Sequence, residues 1–396
     1  MTANSVGVLH SRAHVQERTR PPTLGGYIPA LDGLRGIGML LVMYYHCALF
    51  SPVGNIETQF KTLLQLAIHS MDVFFVLSGF LITGILLDSK GKSHFLRNFY
   101  ARRTLRIFPL YYAFLAIGVV VAPWIITSGD WPWYVLYASN VMMVLKGLRP
   151  EFLAVTWSLA VEEQFYLVAA VTVRFLSRKR LLAVCAFAIV GALLVRVAMW
   201  LAGFTMIQIF IFTPCRVDML AWGAGLAIYM RSSNYRPLET YKAALVTFFP
   251  TAAVFVILYI FWFRMNPESP AWFTAGYTLV GAICAQTVVL ALHSPTFSRI
   301  LSWRPLLFFG KYSYGIYLIH IPVRDLLLRV FFNNGRVEGW FSFPMERYLV
   351  FYALETLAVI PPALISWHLF EKQFLKLKSF FPSGSDIGVA KRMVAP

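Results

Sequence analysis

Several residues that ionise or move protons lie inside stretches that are otherwise apolar. His46, Asp72, Glu162, Glu163, Arg216, Asp218 and His320 each interrupt such a stretch; Arg35 stands at the start of the one that holds His46, and Arg103 and Arg106 near the start of another. An ionisable side chain at mid-bilayer costs roughly 2.5–3.5 kcal/mol on insertion scales, so it faces a cavity or a partner. Arg35 and His46 are eleven residues apart. In a helix, eleven steps of about 100° make three turns plus about 20°, with a rise of roughly 16 Å. The two side chains therefore share one face at different depths. A cation at the membrane surface suits an anionic cofactor, and a buried His suits proton transfer near neutral pH. The plain alternative is a snorkelling Arg and a core His bonded to a neighbour.

The other buried groups fall at matching depths. Asp72 lies in the outer half of the second apolar stretch, Glu162 and Glu163 in the outer half of the fourth, and His320 beyond the middle of the ninth. A shared polar cavity is the economical explanation. Arg216 and Asp218 are two apart on a helix, so they point away from each other and need separate partners. Glu162 and Glu163 likewise diverge, which leaves one for a site and one for structure. Arg103 and Arg106 are three apart and share a face, at the same surface as Arg35. Arginine forks bind phosphate bidentately; the competing explanation is membrane topology alone. Cys47, Cys185, Cys215 and Cys284 all sit in apolar stretches without ligand spacing, so neither a disulfide nor a metal site is expected. His10, His14, His69, His94, His293 and His368 receive no role.

The elements that hold these residues are membrane helices. Of 396 residues, 58% are hydrophobic and only 13% charged, against about a quarter in soluble domains. Apolar stretches of roughly 20 residues recur near 36–54, 64–87, 105–126, 156–175, 181–201, 207–230, 243–263, 272–293, 306–323 and 347–370. The net charge of +17 lies in the segments between them, with no basic aromatic groove to hold a nucleic-acid strand. The positive-inside rule accounts for it. With the amino terminus inside, the basic segments 90–106, 174–180, 231–242, 299–311 and the tail from 372 are all cytoplasmic. The expectation is an all-α polytopic protein with about ten spans and both termini cytoplasmic. A tail (1–28), one membrane domain (29–372) and a basic tail (373–396) make up the chain, with no cleaved leader and residues after about 380 disordered. Segment 131–145 is expected to be re-entrant or interfacial, because counting it as a span would reverse every later loop. The loop 324–346 is either a cover for the outer mouth of a site or a solvated connector.

These residues occur in stretches that resemble the acyltransferase 3 family of integral membrane acyltransferases, many of which O-acetylate bacterial polysaccharides. The first helix reads Ala30-Leu31-Asp32-Gly33-Leu34-Arg35-Gly36 and then His46, similar to the family's Arg, ten residues, His pattern. Asp72-Val73-Phe74-Phe75-Val76-Leu77-Ser78-Gly79-Phe80-Leu81 resembles its second-helix signature, and Arg103-Thr104-Leu105-Arg106 its paired arginines. Trp157-Ser158-Leu159-Ala160-Val161-Glu162-Glu163-Gln164-Phe165-Tyr166, Arg216-Val217-Asp218 and Tyr312-Ser313-Tyr314-Gly315-Ile316-Tyr317-Leu318-Ile319-His320-Ile321-Pro322 resemble three more elements, in order. The likeness runs from about residue 28 to 370.

The resemblance implies an acyl-CoA donor, commonly acetyl-CoA, whose phosphates meet Arg35, Arg103 and Arg106 from the cytoplasm of a bacterial inner membrane. It implies His46 as general base for the hydroxyl of a glycan or glycolipid, with Asp72, Glu162 or Glu163 orienting the imidazole. An acyl-histidine intermediate is the variant mechanism. Trp157, Tyr166, Arg216, Asp218, Tyr317 and His320 would line the acceptor site, and no metal is required. Some members add an outer esterase-like domain; here that hand-over would fall to a separate outer-side protein. From another class, a proton-coupled transporter or flippase for a polar or lipid-linked sugar would use the same His and carboxylates as a relay.

Overall fold

A computed structural model of the chain describes residues 27–47, 66–124, 128–147, 151–259, 276–332 and 344–382. Residues 1–26 of the expected amino-terminal tail, the end of the carboxyl tail and residues 333–343 of the loop 324–346 lie outside the described residues. Every regular element described is helical, and a described helix overlaps each of the ten apolar stretches. In chain order they are α1 (Pro29–His46), α2 (Ser70–Ser89, entered by a tight turn, Leu66–His69), α3 (Phe95–Val121), α4 (Trp131–Val135), α5 (Ser139–Lys146), α6 (Thr156–Phe175), α7 (Arg178–Leu201), α8 (Met206–Ile211) and α9 (Thr213–Tyr229). Then follow α10 (Pro237–Leu258), α11 (Tyr277–His293), α12 (Pro295–Leu301), α13 (Arg304–Leu327), α14 (Pro344–Ala358), α15 (Ile360–Ile365) and α16 (Lys372–Lys376).

Side-chain caps set the corners between helices. The Ser177 hydroxyl accepts from the Arg180 N–H to start α7, and Thr205 with Gln208 forms a reciprocal capping box at α8. Ser294 accepts from the Phe297 N–H, and the chain bends there by 98° between α11 and α12.

Among the described residues, five helical runs are long and apolar enough to cross a membrane: Leu66–Ser89, Phe95–Val121, Arg178–Leu201, Pro237–Leu258 and Glu346–Phe380. The bent pair α11–α12 makes a sixth if counted as one span. The chain is thus an integral membrane protein. The run Leu66–Ser89 has 67% of its apolar window inside the fold, while the other four bury between 11% and 22% of theirs. The latter form an outer jacket suited to lipid. Helices α1, α6, α9 and α13, which carry His46, Glu162, Glu163, Arg216, Asp218 and His320, are not among the five.

Segment 131–145 folds as α4 and α5, of 5 and 8 residues, neither able to cross hydrocarbon of about 30 Å at 1.5 Å per residue. The backbone between them is non-helical and needs partners at membrane depth. Gln164 supplies one, donating to the Tyr137 carbonyl (2.9 Å), while Tyr111 donates to that of Tyr134 in α4 (2.7 Å) and Gln208 to that of Val144 in α5 (2.8 Å).

Two close crossings hold the interior together. Helix α2 packs on α9, and α1 on α13. A Cβ at Gly223 would collide with the Val76 carbonyl, and one at Gly79 with that of Leu220. Glycine lets backbones approach as small residues do in membrane interfaces generally. Gly36 and Gly310 do the same for α1 and α13, against Leu306 and Asp32. Gly223→Leu is expected to destabilise the protein by at least roughly 1–3 kcal/mol, as overpacking does. Gly191, with no heavy atom within 4 Å of where a Cβ would sit, should accept Leu without that loss. Thermal unfolding in detergent measures both; equal midpoints would contradict the tight crossing.

Candidate active site

Three cavities follow one another through the interior. The largest, about 500 Å³, is lined by His46, Trp157, Phe210, Tyr317, Arg324 and Asp325 among others. The second, about 270 Å³, is lined by Arg35, Ser78, Arg103, Arg106, Ser158, Glu162, Tyr166 and Tyr317. Met71 and Tyr317 belong to both. The third, about 110 Å³, shares Ile85, Arg103 and Arg106 with the second. Helix α2 shows the order directly, since Ser70 and Met71 line the first, Ser78 and Ile82 the second, and Leu86 and Ser89 the third. Arg35 and His46 thus lie on one helix, at two successive cavities.

The proton positions on His46 follow from its partners. His46 Nδ1 lies 2.9 Å from the Val42 carbonyl, and His320 Nδ1 lies 2.7 Å from that of Tyr317. A carbonyl only accepts, so both rings carry their proton on Nδ1 when neutral. His320 Nε2, 3.2 Å from His46 Nδ1, then accepts a share of the same N–H. Nε2 of His46 is left with the lone pair, the state a general base requires. His46 is therefore oriented by a carbonyl and His320, where sequence reading expected a carboxylate. Arg324 donates to the His46 carbonyl (3.4 Å) and to Asp325 (2.6 Å), which places a cation beside the same cavity.

The second cavity holds three arginines and one carboxylate. Arg35 lies 3.5 Å from Asp32, and no carboxylate among the described residues lies within ion-pair distance of Arg103 or Arg106. Glu162 accepts from Ser78 (2.5 Å) and Tyr166 (3.2 Å). Three guanidinium groups around one polar cavity make an anion-receptive site. Between the cavities, Tyr317 donates to the Val155 carbonyl (3.0 Å) and pairs with the Ser158 hydroxyl (2.6 Å).

The structure brings His46 and His320 together and sets the three expected carboxylates apart from them. Glu162 lines the arginine cavity, and Glu163 and Asp72 line none of the three. Glu163 is buried with Oε1 lacking a hydrogen-bond partner. Asp72, fully buried, forms an ion pair with Arg216 and accepts from His69 Nδ1 at 2.7 Å. The Arg216 guanidinium stacks 4.7 Å from both the Phe210 and Tyr277 rings. Asp218 pairs with Arg196 at 2.6 Å, so Arg216 and Asp218 do have separate partners. Neither lines a cavity, whereas Trp157 lines the first, Tyr166 the second and Tyr317 both.

Sequence reading passed over Arg196, Arg324, Ser78 and Ser158. Arg196 interrupts the apolar run 181–201, which was signal enough. Arg324 opens the segment read as either a cover for the outer mouth of a site or a solvated connector, and the structure keeps it within α13.

An acyltransferase domain model of the acyltransferase 3 family matches residues 28–368, and the chain belongs to that family. It is 30% identical over 325 residues to YrhL of Bacillus subtilis (strain 168), covering 75% of this chain and 48% of that one. It is 28% identical over 325 residues to the peptidoglycan O-acetyltransferase OatA of Listeria monocytogenes, covering 76% and 50%. The O-acetyltransferase OatA of Staphylococcus aureus (strain NCTC 8325) is 26% identical over 380 residues, covering 90% and 59%. The chain thus spans about half the length of the first two of these relatives. No solved structure matches it.

The Asp72–Arg216 pair gives a stability test. Asp72→Asn leaves a buried guanidinium without its counter-charge, an expected loss of about 3–5 kcal/mol. Combining it with Arg216→Met removes the stranded charge and should recover part of the loss. Thermal unfolding of both variants reads the difference. A double variant less stable than Asp72→Asn would contradict the pairing.

Proposed function

We propose that the protein is a membrane O-acyltransferase that moves an acyl group, acetyl in the first instance, from acyl-CoA to a hydroxyl of a cell-envelope glycan. Family membership supports acyl transfer, and the names of the OatA relatives support an O-acetyl group and a glycan. The observation that carries the mechanism is the train of cavities, with an anion-receptive arginine cluster in one and a His poised as a base in the next.

In this reading the donor enters at the cytoplasmic face of a bacterial inner membrane, and Arg35, Arg103 and Arg106 hold its phosphates. Its thioester reaches the junction at Met71 and Tyr317, on a helix rise of roughly 16 Å between Arg35 and His46. The acceptor occupies the larger cavity against Trp157. His46 Nε2 takes the proton of the acceptor hydroxyl as its oxygen bonds to the acyl carbon. The carbon–sulfur bond then breaks, and the departing thiolate receives that proton to leave as the free thiol. His320 keeps the proton on His46 Nδ1 and disperses charge on the imidazolium. Arg324 adds a cation near the developing oxyanion, an electrostatic contribution of the kind that dominates acyl transfer. Glu162, held by Ser78 and Tyr166, sets the polarity of the donor cavity. Asp72 and Arg216 act as positioning residues that fix α2 and α9.

His46→Ala in a stably inserted protein is expected to lower transfer roughly a hundred- to ten-thousandfold, the range for loss of a general base. Mass spectrometry of cell-envelope glycans, reading one acyl mass per site, measures it; an undiminished rate would sink the reading. Arg103→Ala with Arg106→Ala should raise KM for the donor far more than KM for the acceptor. Substrate flux without any modified product would instead favour a transporter.

A further inference from the structure

Glu355 interrupts the last apolar stretch and is not used by the chemistry above. It sits in α14, fully buried, and lines none of the three cavities. Its Oε2 accepts from the Cys47 thiol, and Oε1 has no hydrogen-bond partner among the described residues. A thiol is a weak donor, so an acid enclosed with it gains little stability. An ionisable residue kept inside a span under those terms points to function.

Cys47 directly follows His46 and is the first residue beyond α1. The last four carbonyls of a helix have no partner within it. Here the Met43 carbonyl accepts from the Cys47 N–H (3.0 Å) and the Tyr44 carbonyl from the Tyr348 hydroxyl (2.6 Å). That of His46 accepts from Arg324 (3.4 Å). One turn before Tyr44, the Leu40 carbonyl accepts from the Tyr352 hydroxyl (3.1 Å). The Tyr44 ring meets those of Tyr348 and Tyr352 edge-on, each at 5.2 Å. Three side chains of α14, Tyr348, Tyr352 and Glu355, thus grip the end of α1 that carries His46. Apolar packing would also join two helices, but hydrogen bonds fix position along and around the axis.

We propose that Glu355 is a positioning residue for acyl transfer, anchoring the end of α1 through the Cys47 thiol so that the His46 imidazole keeps its place at the largest cavity. The inference rests on the reading of His46 as general base and adds the mount that holds it. A reacting group misplaced by about 1 Å can cost roughly a hundredfold in rate. Releasing one anchor of several leaves part of the alignment, so a smaller loss is expected.

Full-length protein in lipid nanodiscs is assayed with acetyl-CoA and soluble peptidoglycan fragments, the acetylated product being read by mass spectrometry. Glu355→Met is expected to lower kcat roughly tenfold while both KM values stay within about twofold. Glu355→Gln keeps an oxygen for the thiol and should restore most of kcat. Cys47→Ala should match Glu355→Met, and the double variant should be no slower than either, because both remove the same contact. A merely structural acid would lower the thermal midpoint and leave kcat per folded molecule unchanged, which overturns the inference. Losses that multiply in the double variant, or a Glu355→Gln protein as slow as Glu355→Met, overturn it equally. Should Glu355→Met fail to insert, Cys47→Ala as loss and Cys47→Ser as rescue carry the same reading. Normal transfer by His46→Ala would instead overturn the general-base reading itself.

Discussion

A charge inside a hydrocarbon layer has to be enclosed by protein, and that requirement orders this fold. The helices divide accordingly. Those with His46, Glu162, Arg216 and His320 are interior, while α3, α7, α10 and the carboxyl-terminal run present most of their surface outward. Close helix crossings are the means of enclosure. At Gly79 and Gly223, and at Gly36 and Gly310, backbones touch where any side chain would hold them apart. The gain in enclosure is a polar interior that lipid never meets.

Not all of that interior is for chemistry. Asp72, Arg216, Asp218 and Arg196 form two ion pairs, each matched one to one and each fully buried. Replacing such pairs by apolar residues can be neutral or even stabilising, so they are weak evidence for stability as such. What they do provide here is a fixed relation between α2, α7 and α9. Of those helices, α2 bounds all three cavities. A small shift of α2 would move Met71, Ser78 and Ile85 together, one in each cavity wall.

The local part of this arrangement was legible in the sequence. Helical periodicity alone put Arg35 and His46 on one face, and spacing alone required separate partners for Arg216 and Asp218. Pairings across the chain were not legible. His46 meets His320 because α1 and α13 cross at glycines, and no local pattern announces which residues a crossing brings opposite each other. Depth was also a coarse guide. Glu162 was grouped with His46 by position along its helix, yet one and a half turns beyond Trp157 places it in the next cavity. Asp72 carried the most prominent motif and is taken up by Arg216 and His69.

The constriction at Tyr317 has a consequence for the membrane as a capacitor. A membrane held at 100 mV applies about 2.3 kcal/mol to each elementary charge that crosses it. A continuous wet passage from the arginine cavity to His46 would let protons run down that gradient. The Tyr317 hydroxyl is engaged by both Val155 and Ser158, which keeps a phenol ring across the gap. In the proposed function an acyl group passes this point only while attached to its carrier, so the plug that admits it is filled by the substrate itself. In that reading an acyl group crosses an energised bilayer while the protein remains an electrical insulator.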